Sequence, residues 1–404
     1  MTELVLPGLD DVLAAQEPLR DVALRTPMEE SRWLSGVIGA PAFLKCENLQ
    51  RTGSFKIRGA YTRIHGLGEE ERARGVVAAS AGNHAQGVAL AATSLGIRST
   101  VFMPEGAPIP KENATRAYGA DVVFAGHVLE ESLDAARAFA ADTGAVLVHP
   151  FDHPAVVAGQ GTVGLEILDQ VPDVATVLVP AGGGGLVAGI ALAIKARRPD
   201  VRVIAVQAAG AAAFPGSLAA GEPRTAHDMR TMADGIAVGL PGEVTFALVR
   251  DLVDDVVTVS EGALSAALLA LLERAKMVVE PAGAAAVAAL MEMQEHDEGP
   301  VVAVLSGGNV DPLLLGSVIR HGMAAGGRYR YLRVTIPDRP GGLAALLHTV
   351  GESGANVLEV VHHRISPSLE IDQVEVRLQV ETRGREHAAS LLRRLREDGY
   401  VVEG

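Results

Sequence analysis

Residues 175–194 read Ala-Thr-Val-Leu-Val-Pro-Ala-Gly-Gly-Gly-Gly-Leu-Val-Ala-Gly-Ile-Ala-Leu-Ala-Ile. This stretch is 20 residues long and carries no charge, and a helix of that length crosses a bilayer. Pro180 and the glycines at 182–185 would break such a helix in its middle. The stretch therefore predicts a buried strand, a glycine turn and a helix, and we expect no membrane partner.

Seven other short runs rich in β-branched residues resemble the strand in this stretch, and segments of helical length rich in Ala and Leu separate them. Alternating buried strands and helices predict parallel α/β sheets, because each crossover helix covers a sheet face. Eight such strands exceed one ordinary sheet, so we expect two sheets with a site in the cleft between them. The predicted strands are Val76–Ala79, Thr100–Met103, Asp121–Phe124, Val146–His149, Thr176–Val179, Val201–Gln207, Val256–Val259 and Val301–Leu305.

The composition excludes several classes of protein. The 404 residues include 35 basic and 49 acidic side chains, a net charge of −14, so nucleic acid and anionic membranes are poor partners. Aromatic residues make up only 3%, which predicts cores of Ala, Val and Leu. Cys46 is the only cysteine, which excludes disulfide frameworks and thiolate zinc sites. Because the first 25 residues also lack a secretory pattern, we expect a cytoplasmic protein.

The pattern changes near Gly322, where small residues predict a linker over residues 323–329. The segment 330–404 then predicts a separate unit with the order strand, helix, strand, strand, helix, strand. This βαββαβ order is the ferredoxin-like arrangement. Its predicted elements are Tyr331–Ile336, Gly342–Glu352, Ala355–His363, Ile371–Glu381, Arg385–Glu397 and Tyr400–Val402.

Three predicted strands run into glycine-rich turns, at residues 80–84, 182–186 and 306–309, and each turn is predicted to open a helix. Backbone N–H groups at a helix N-terminus attract anions, and glycine allows an anion to approach closely. Tight-turn packing explains any one of them, but three together favour an anionic ligand. Gly183–Ala188 also fits a loose dinucleotide fingerprint, although the next strand ends in Gln207 instead of the acid expected there.

Lysine is scarce, with five residues in the chain, and this narrows the choice of an amine nucleophile. Lys195 and Lys276 lie on predicted helices of mixed charge and are expected to be solvated. Lys111 lies in a predicted loop and Lys45 in a predicted strand. Lys56 begins a predicted helix, where the macrodipole lowers the pKa of an ammonium, as imine formation requires.

Five motifs together resemble those of the serine/threonine dehydratases, pyridoxal-phosphate enzymes with the tryptophan-synthase β-type fold (fold type II). These motifs are Ser54-Phe-Lys-Ile-Arg-Gly-Ala60, Ser80-Ala-Gly-Asn-His-Ala-Gln-Gly87, the glycines 182–185, Val279-Glu-Pro-Ala-Gly283 and Ser306-Gly-Gly-Asn309. The resemblance covers roughly residues 10 to 322. It implies two parallel-sheet lobes, a large one of residues 1–49 and 150–322 and a small one of residues 50–149.

The resemblance also assigns roles around the cofactor pyridoxal 5'-phosphate. Lys56 would bind the cofactor covalently and later remove the Cα proton of the substrate. Phe55 would pack beside the cofactor ring, Asn83 would bond its hydroxyl, and Ser306 would face the pyridine nitrogen. The cofactor phosphate would be held by the backbone of Gly182, Gly183, Gly184, Gly185 and Leu186.

The implied reaction is dehydration of L-threonine to 2-oxobutanoate and ammonia, with L-serine giving pyruvate. The substrate carboxylate would bind to Ser80, Ala81, Gly82, Asn83 and His84, and His84 is expected to be a structural hydrogen-bonder. A related lyase or synthase, such as a serine racemase or a cysteine synthase, is the nearest alternative, and a non-catalytic amino-acid sensor is another.

Several positions depart from the related serine racemases. Those enzymes carry a serine where Ala81 stands, so we expect poor racemisation. They also hold a divalent cation with acids where this chain has Gln207, Ala211 and Ala213, so we expect no metal there. Glu280 is a candidate for ordering a loop or binding a monovalent cation, and a purely structural role is equally open.

The segment 331–404 resembles an ACT domain, an amino-acid-binding regulatory module, through Asp338-Arg-Pro-Gly-Gly-Leu343 and Gly354-Ala-Asn-Val357. The resemblance implies an effector site formed by Arg339, Gly341, Gly342 and Asn356, with isoleucine or a related amino acid as the effector. Such sites usually form across a pair of domains, so a homodimer or homotetramer is expected. The alternative is a module that serves dimerisation alone.

Overall fold

The computed structural model describes residues 4–293, 299–364 and 369–403 and divides the chain into two compact units, Met1–Pro312 and Leu313–Gly404. The helices of the first unit are α1 (Leu9–Leu19), α2 (Arg32–Ile38), α3 (Lys56–His65), α4 (Glu69–Arg74), α5 (Asn83–Ser94), α6 (Ile109–Ala117), α7 (Leu129–Thr143), α8 (Pro154–Gln170), α9 (Gly185–Lys195), α10 (Phe214–Ala220), α11 (Glu243–Leu252), α12 (Glu261–Ala270) and α13 (Ala285–Glu292). Its strands are β1 (Met28–Glu30), β2 (Ala42–Lys45), β3 (Val76–Ala79), β4 (Ser99–Met103), β5 (Asp121–Phe124), β6 (Val146–Leu147), β7 (Thr176–Pro180), β8 (Arg202–Ala208), β9 (Asp255–Val259) and β10 (Val301–Val304).

The large sheet of the first unit has the strand order β1-β2-β10-β7-β8-β9. Its pairings are parallel except at the edge, where β1 runs antiparallel to β2. Every residue of β7 and β10 is buried, as expected for strands that helices cover on both faces. Small residues bring α8 and α9 close together, since a Cβ on Gly189 would lie 2.4 Å from the Val157 carbonyl oxygen.

The second sheet of this unit has the order β5-β4-β3-β6, and all its pairings are parallel. The two predicted parallel sheets are therefore confirmed. All eight predicted strands are present with ends within two residues of prediction, and β3 and β5 match in full. The division into lobes at residues 50 and 149 stays a prediction, and the four strands of the smaller sheet fall inside that range.

The second unit consists of a long helix followed by a four-stranded antiparallel sheet with two helices. Its elements are α14 (Pro312–Ala325, which begins at the end of the first unit), β11 (Tyr329–Pro337), α15 (Gly342–Glu352), β12 (Asn356–His363), β13 (Gln373–Glu381), α16 (Arg385–Glu397) and β14 (Val401–Glu403). The strand order is β12-β13-β11-β14, and the predicted βαββαβ order is confirmed. The predicted linker begins too early, because residues 323–325 are still helical.

Two further local predictions differ from the structure, and one short strand is missed. The turn at residues 306–309 does not open a helix, because α14 begins only at Pro312 and Gly307 instead forms a bridge with Ser54. Lys111 lies on α6 and not in a loop. The sequence patterns do not predict the short edge strand β1. Among the described residues, none of the helices has both the length and the apolar composition that crossing a bilayer requires.

Candidate active site

Lys56 is the first residue of α3, as the sequence predicts, and it is partly buried. Its Nζ donates a hydrogen bond of 2.8 Å to the Pro150 carbonyl oxygen and lies 5.1 Å from the centroid of the Phe55 ring. Burial lowers the pKa of Lys56 to about 8, and the nearby Glu280 carboxylate opposes the shift. The side chain therefore has a substantial fraction of neutral amine near pH 8, unlike a solvated lysine.

The glycine turn at residues 182–185 joins β7 to α9, and each glycine lies against another chain segment. A Cβ on Gly183 would lie 2.4 Å from the Phe151 ring, and one on Gly184 would lie 2.7 Å from Phe214. Gly184 also has a φ of +95°, which L side chains rarely adopt. The turn thus places the first N–H groups of α9, which have no partner within the helix, at the cleft.

Asn83, the first residue of α5, connects the two sheets. Its Nδ2 donates to Glu280 Oε1 at 2.6 Å, and its Oδ1 accepts from Asn309 Nδ2 at 2.8 Å. An amide nitrogen carries two hydrogens, so one remains for a further acceptor. Asn83 is therefore held by two protein groups and can still donate to a ligand.

Glu280 is 4% exposed and lies beside Gly307, where a Cβ would meet its Oε1 at 2.2 Å. Burial raises the pKa of Glu280 to about 7, and Asp234 adds to the shift while Lys111 opposes it. The carboxyl group thus reaches the 306–309 turn through Asn83, which accepts from Asn309. The loop-ordering, cation and purely structural roles of Glu280 all stay predictions.

The loop at residues 80–84 follows β3 and leads into α5. Ser80, Ala81, Gly82 and Asn83 are all partly exposed, and the Gly82 N–H donates to Ser80 Oγ at 3.1 Å. His84 is buried, and its Nε2 lies 2.8 Å from the Val148 carbonyl oxygen. Burial, together with the charge of Lys56, lowers the pKa of His84 to about 3, so the imidazole is neutral. This geometry supports a structural role for His84.

Residues 148–153 form a wall of the cleft that the sequence reasoning missed. Val148 and Pro150 accept hydrogen bonds from His84 and Lys56, and Phe151 packs under the glycine turn. Asp152 accepts from two backbone N–H groups at the start of α11. The sequence could have indicated this wall, because His149-Pro-Phe-Asp-His153 follows a strand end. The ends of parallel strands border the cleft in α/β folds.

The 306–309 turn completes the cleft on the side of the large sheet. Ser306 is 3% exposed, and its carbonyl oxygen accepts from the Phe55 N–H at 3.2 Å. Among the described residues, the buried Ser54 Oγ has no hydrogen-bond partner. The structure therefore brings Ser306, Phe55 and Lys56 to one place.

These observations fit a pyridine cofactor that carries an aldehyde and a phosphate. The glycine turn has no room for a Cβ because Ile236, Phe151 and Phe214 pack against it. In the described part of the chain, the buried Ser54 hydroxyl has no hydrogen-bond partner, and Lys56 supplies an amine of lowered pKa. The residues that would hold such a group are Lys56, Phe55, Asn83, Gly182, Gly183, Gly184, Gly185, Leu186 and Ser306.

Gln207, Ala211 and Ala213 are the positions at which the related racemases hold a cation. In this structure the Gln207 side chain is hydrogen-bonded within the protein. Gln207 donates to the Ala181 carbonyl oxygen at 3.2 Å and accepts from the Phe214 N–H at 2.9 Å. Ala211 and Ala213 are each 2% exposed. Gln207 thus fixes α10 against the glycine turn.

The predicted effector residues do not all come together within one copy of the second unit. Gly341 precedes α15 with a φ of +87°, and a Cβ on Gly342 would lie 2.9 Å from the Pro337 carbonyl oxygen. Arg339 belongs to the same turn. Asn356 pairs with Glu381, which pairs with Tyr329 at the start of β11, whereas the turn follows the end of β11. Asn356 therefore lies at the opposite end of the sheet.

Comparisons with known proteins agree with this geometry. Residues 19–307 match the model of the pyridoxal-phosphate dependent enzyme family, and residues 330–397 match that of the ACT domain. A protein of Thermotoga maritima named L-threonine ammonia-lyase is 47% identical over 394 residues, which are 98% of each chain.

Two solved structures resemble the larger part of the chain. The processed form of threonine deaminase isoform 2 from Solanum lycopersicum has a TM-score of 0.75 at 38% identity and covers 79% of this chain and 91% of its own. A maize serine racemase has a TM-score of 0.75 at 37% identity and covers 80% and 99%. The chain is thus a member of the pyridoxal-phosphate-dependent enzymes of the tryptophan-synthase β-type fold, with a C-terminal ACT domain.

Proposed function

We propose that this protein is a threonine ammonia-lyase, which converts L-threonine to 2-oxobutanoate and ammonia and also converts L-serine to pyruvate. The observation that carries the proposal is the position of Lys56, an amine of lowered pKa. Its charge acts on His84 of the 80–84 loop, and its Nζ donates to Pro150, next to the Phe151 that packs against the glycine turn. The near full-length similarity to an L-threonine ammonia-lyase supports the same reaction.

Each part of the cleft has a task in this reaction. The N–H groups of the glycine turn and of Leu186 bind the cofactor phosphate, and the 80–84 loop receives the substrate carboxylate. Asn83 donates its remaining hydrogen to the ring hydroxyl, and Phe55 packs beside the ring. Lys56 Nζ would take the proton from Cα, the electron pair of that C–H bond would form the Cα–Cβ double bond, and the β-hydroxyl would leave with a proton as water.

Pyridoxal phosphate supplies an electron sink next to Cα when it is bound. The protein sets how strong that sink is through Ser306, which faces the pyridine nitrogen in this proposal. A serine hydroxyl donates a hydrogen bond but does not give up a full proton. The negative charge at Cα is then short-lived, which favours loss of the hydroxyl over return of the proton.

The experiment is an assay of the purified protein with L-threonine, in which 2-oxobutanoate and ammonia are measured together. We expect equal amounts of the two products. Lys56→Ala should abolish both, while Lys195→Ala, which removes an ion-paired lysine outside the cleft, should leave them unchanged. Activity that survives Lys56→Ala would refute the assignment.

A serine racemase is the second candidate, because the maize racemase is similar over most of the chain. Ala81 counts against it, since its side chain has no group that can deliver a proton to the opposite face of the substrate. We expect L-serine to yield pyruvate and no measurable D-serine on chiral chromatography.

The ACT domain is the regulatory part in this proposal, with isoleucine or a related branched amino acid as its effector. Because such domains usually bind effectors in pairs, we propose that the protein is a homodimer or homotetramer. We further propose that it works in the cytoplasm, which agrees with its single buried cysteine.

A further inference from the structure

A second ammonium group, that of Lys111, acts on the Glu280 carboxyl group in the cleft. Lys111 on α6 donates a hydrogen bond of 2.8 Å from Nζ to Asp234 Oδ2. The Lys111 side chain is 14% exposed and that of Asp234 is 62% exposed. Because α6 packs against β5 of the small sheet, while the Asp234–Ile236 turn packs against Gly182 just after β7 in the large sheet, this ion pair joins the two sides of the cleft.

The Lys111 ammonium lies against the loop that receives the substrate carboxylate. Its Nζ is 4.0 Å from the position that a Cβ on Gly82 would occupy, and Gly82 is the N-cap of α5. The N-terminus of a helix carries partial positive charge and disfavours a cation. A lysine held there by an acid is therefore arranged to meet an anion between the ammonium and the helix.

The segment that holds Lys111 is itself fixed to the rest of the site. Residues 234–236 form one 3₁₀ turn, and a Cβ on Gly182 would lie 2.9 Å from Ile236 Cα. A Cβ on Gly235 would lie 3.6 Å from Glu280 Oε1. The segment of Asp234 thus packs between the glycine turn and Glu280. This packing gives Lys111 a defined position over the 80–84 loop.

We propose that Lys111 is a substrate-binding residue whose Nζ pairs with the carboxylate of the amino acid at the 80–84 loop, and that Asp234 keeps the ammonium in place before substrate arrives. This inference rests on the proposed function, because it assumes that the loop binds a carboxylate. It adds a charged contact to a site otherwise built from backbone N–H groups.

The test compares two ligands that differ only in the carboxylate. L-Alanine has no β-hydroxyl to lose and so binds without elimination, and L-alaninamide replaces the carboxylate with a neutral amide. Binding to the holoenzyme is followed by the absorbance of the cofactor. Lys111→Met should weaken L-alanine binding by about tenfold, as expected for a charged hydrogen bond, and leave L-alaninamide binding unchanged.

Two variants serve as controls. Lys111→Arg keeps the charge and should retain most of the affinity for L-alanine. Lys195 is a matched lysine outside the cleft, because its side chain is also 14% exposed and is paired with Asp254. Lys195→Met should change the binding of neither ligand.

Equal weakening of both ligands by Lys111→Met would overturn the proposal, because the lysine would then act on the closure of the cleft and not on the carboxylate. An unchanged affinity for L-alanine would also overturn it. Failure of the proposed function looks different, since the wild-type protein would then form no 2-oxobutanoate from L-threonine, whatever Lys111→Met does to L-alanine binding.

Discussion

The half-buried Lys56 and the buried Glu280 have pKa values that move in opposite directions. Burial lowers the pKa of Lys56 to about 8 and raises that of Glu280 to about 7. Each charge partly offsets the shift of the other, so both groups titrate near neutral pH. A proton can therefore leave Lys56 under mild conditions, as its proposed roles in bonding the cofactor and accepting a proton require.

This pairing predicts the pH dependence of cofactor uptake. The neutral amine of Lys56 is the reactive form, so the rate at which the apoprotein takes up pyridoxal phosphate should rise with pH around a midpoint of about 8, well below the usual 10.5. Because the Glu280 carboxylate stabilises the ammonium, Glu280→Gln should move the midpoint to lower pH. Absorbance after rapid mixing measures the rate, and Asp254→Asn, outside the cleft, should leave the midpoint in place. A midpoint near 10.5 would contradict the burial of Lys56.

At the scale of elements, the turn between β7 and α9 depends on the absence of side chains. Gly184→Ala would impose a Cβ 2.7 Å from Phe214 at a φ of +95°, so the turn must shift and its N–H groups with it. We expect the variant to bind pyridoxal phosphate at least about tenfold more weakly, as loss of a charged hydrogen bond implies. Gly216→Ala on α10 is the control, because a Cβ there has open space. Cofactor retention after dialysis, read by absorbance, gives the comparison, and equal retention in both variants would argue against phosphate binding at this turn.

The start of α3 is fixed by a buried charge network two residues beyond Lys56. Arg58 is 1% exposed and donates to both carboxylate oxygens of Glu47 at 2.8 Å and to Glu166 at 2.7 Å. Lys45 Nζ completes the network with an ion pair of 2.5 Å to Glu166. Two cations and two anions thus join β2, α3 and α8 in the core.

Breaking this network from one side should be costly. Glu47→Gln would leave the buried Arg58 guanidinium without a full counter-charge, and we expect a loss of about 3–5 kcal/mol in the free energy of unfolding. Urea denaturation followed by the fluorescence of Trp33, the only tryptophan, reports on this unit. Glu17→Gln, which breaks an exposed pair with Arg20, should change little. Equal stabilities of the two variants would contradict the view that the network fixes α3.

The bounds of helices and strands could be predicted from the sequence where the local residue pattern determines them. Hydrophobic runs and glycine breaks placed β3, β5, α15 and α16 with their full bounds, since these depend on neighbouring residues. Lys111, Asp234 and Phe151 meet the cleft only through long-range packing, which no local pattern encodes. The register of β12 likewise decides that Asn356 lies away from the Arg339 turn.

At the scale of the whole molecule, the first unit and the second unit each have a hydrophobic core, and the two cores are built differently. The core of the second unit is formed by alternate residues of its antiparallel strands, whereas that of the first has continuously buried parallel strands. Each unit therefore has the apolar interior that independent folding requires. Regulation in such a chain must pass from effector binding in one unit to turnover in the other.

This organisation predicts how a response to isoleucine would be lost. A chain shortened to residues 1–326, which ends just after α14, should keep the dehydration of L-threonine but lose any change of rate on adding isoleucine. In the full chain, Gly342→Ala should weaken the response, because a Cβ there would lie 2.9 Å from the Pro337 carbonyl oxygen and force the turn before α15 to move. Gly351→Ala, on the same helix but facing open space, should respond like the wild type. Steady-state rates of 2-oxobutanoate formation over a range of isoleucine concentrations measure all four proteins. An isoleucine response that survives in the shortened chain would place the effector site in the catalytic unit, and it would leave the ACT domain with the role of a dimerisation module.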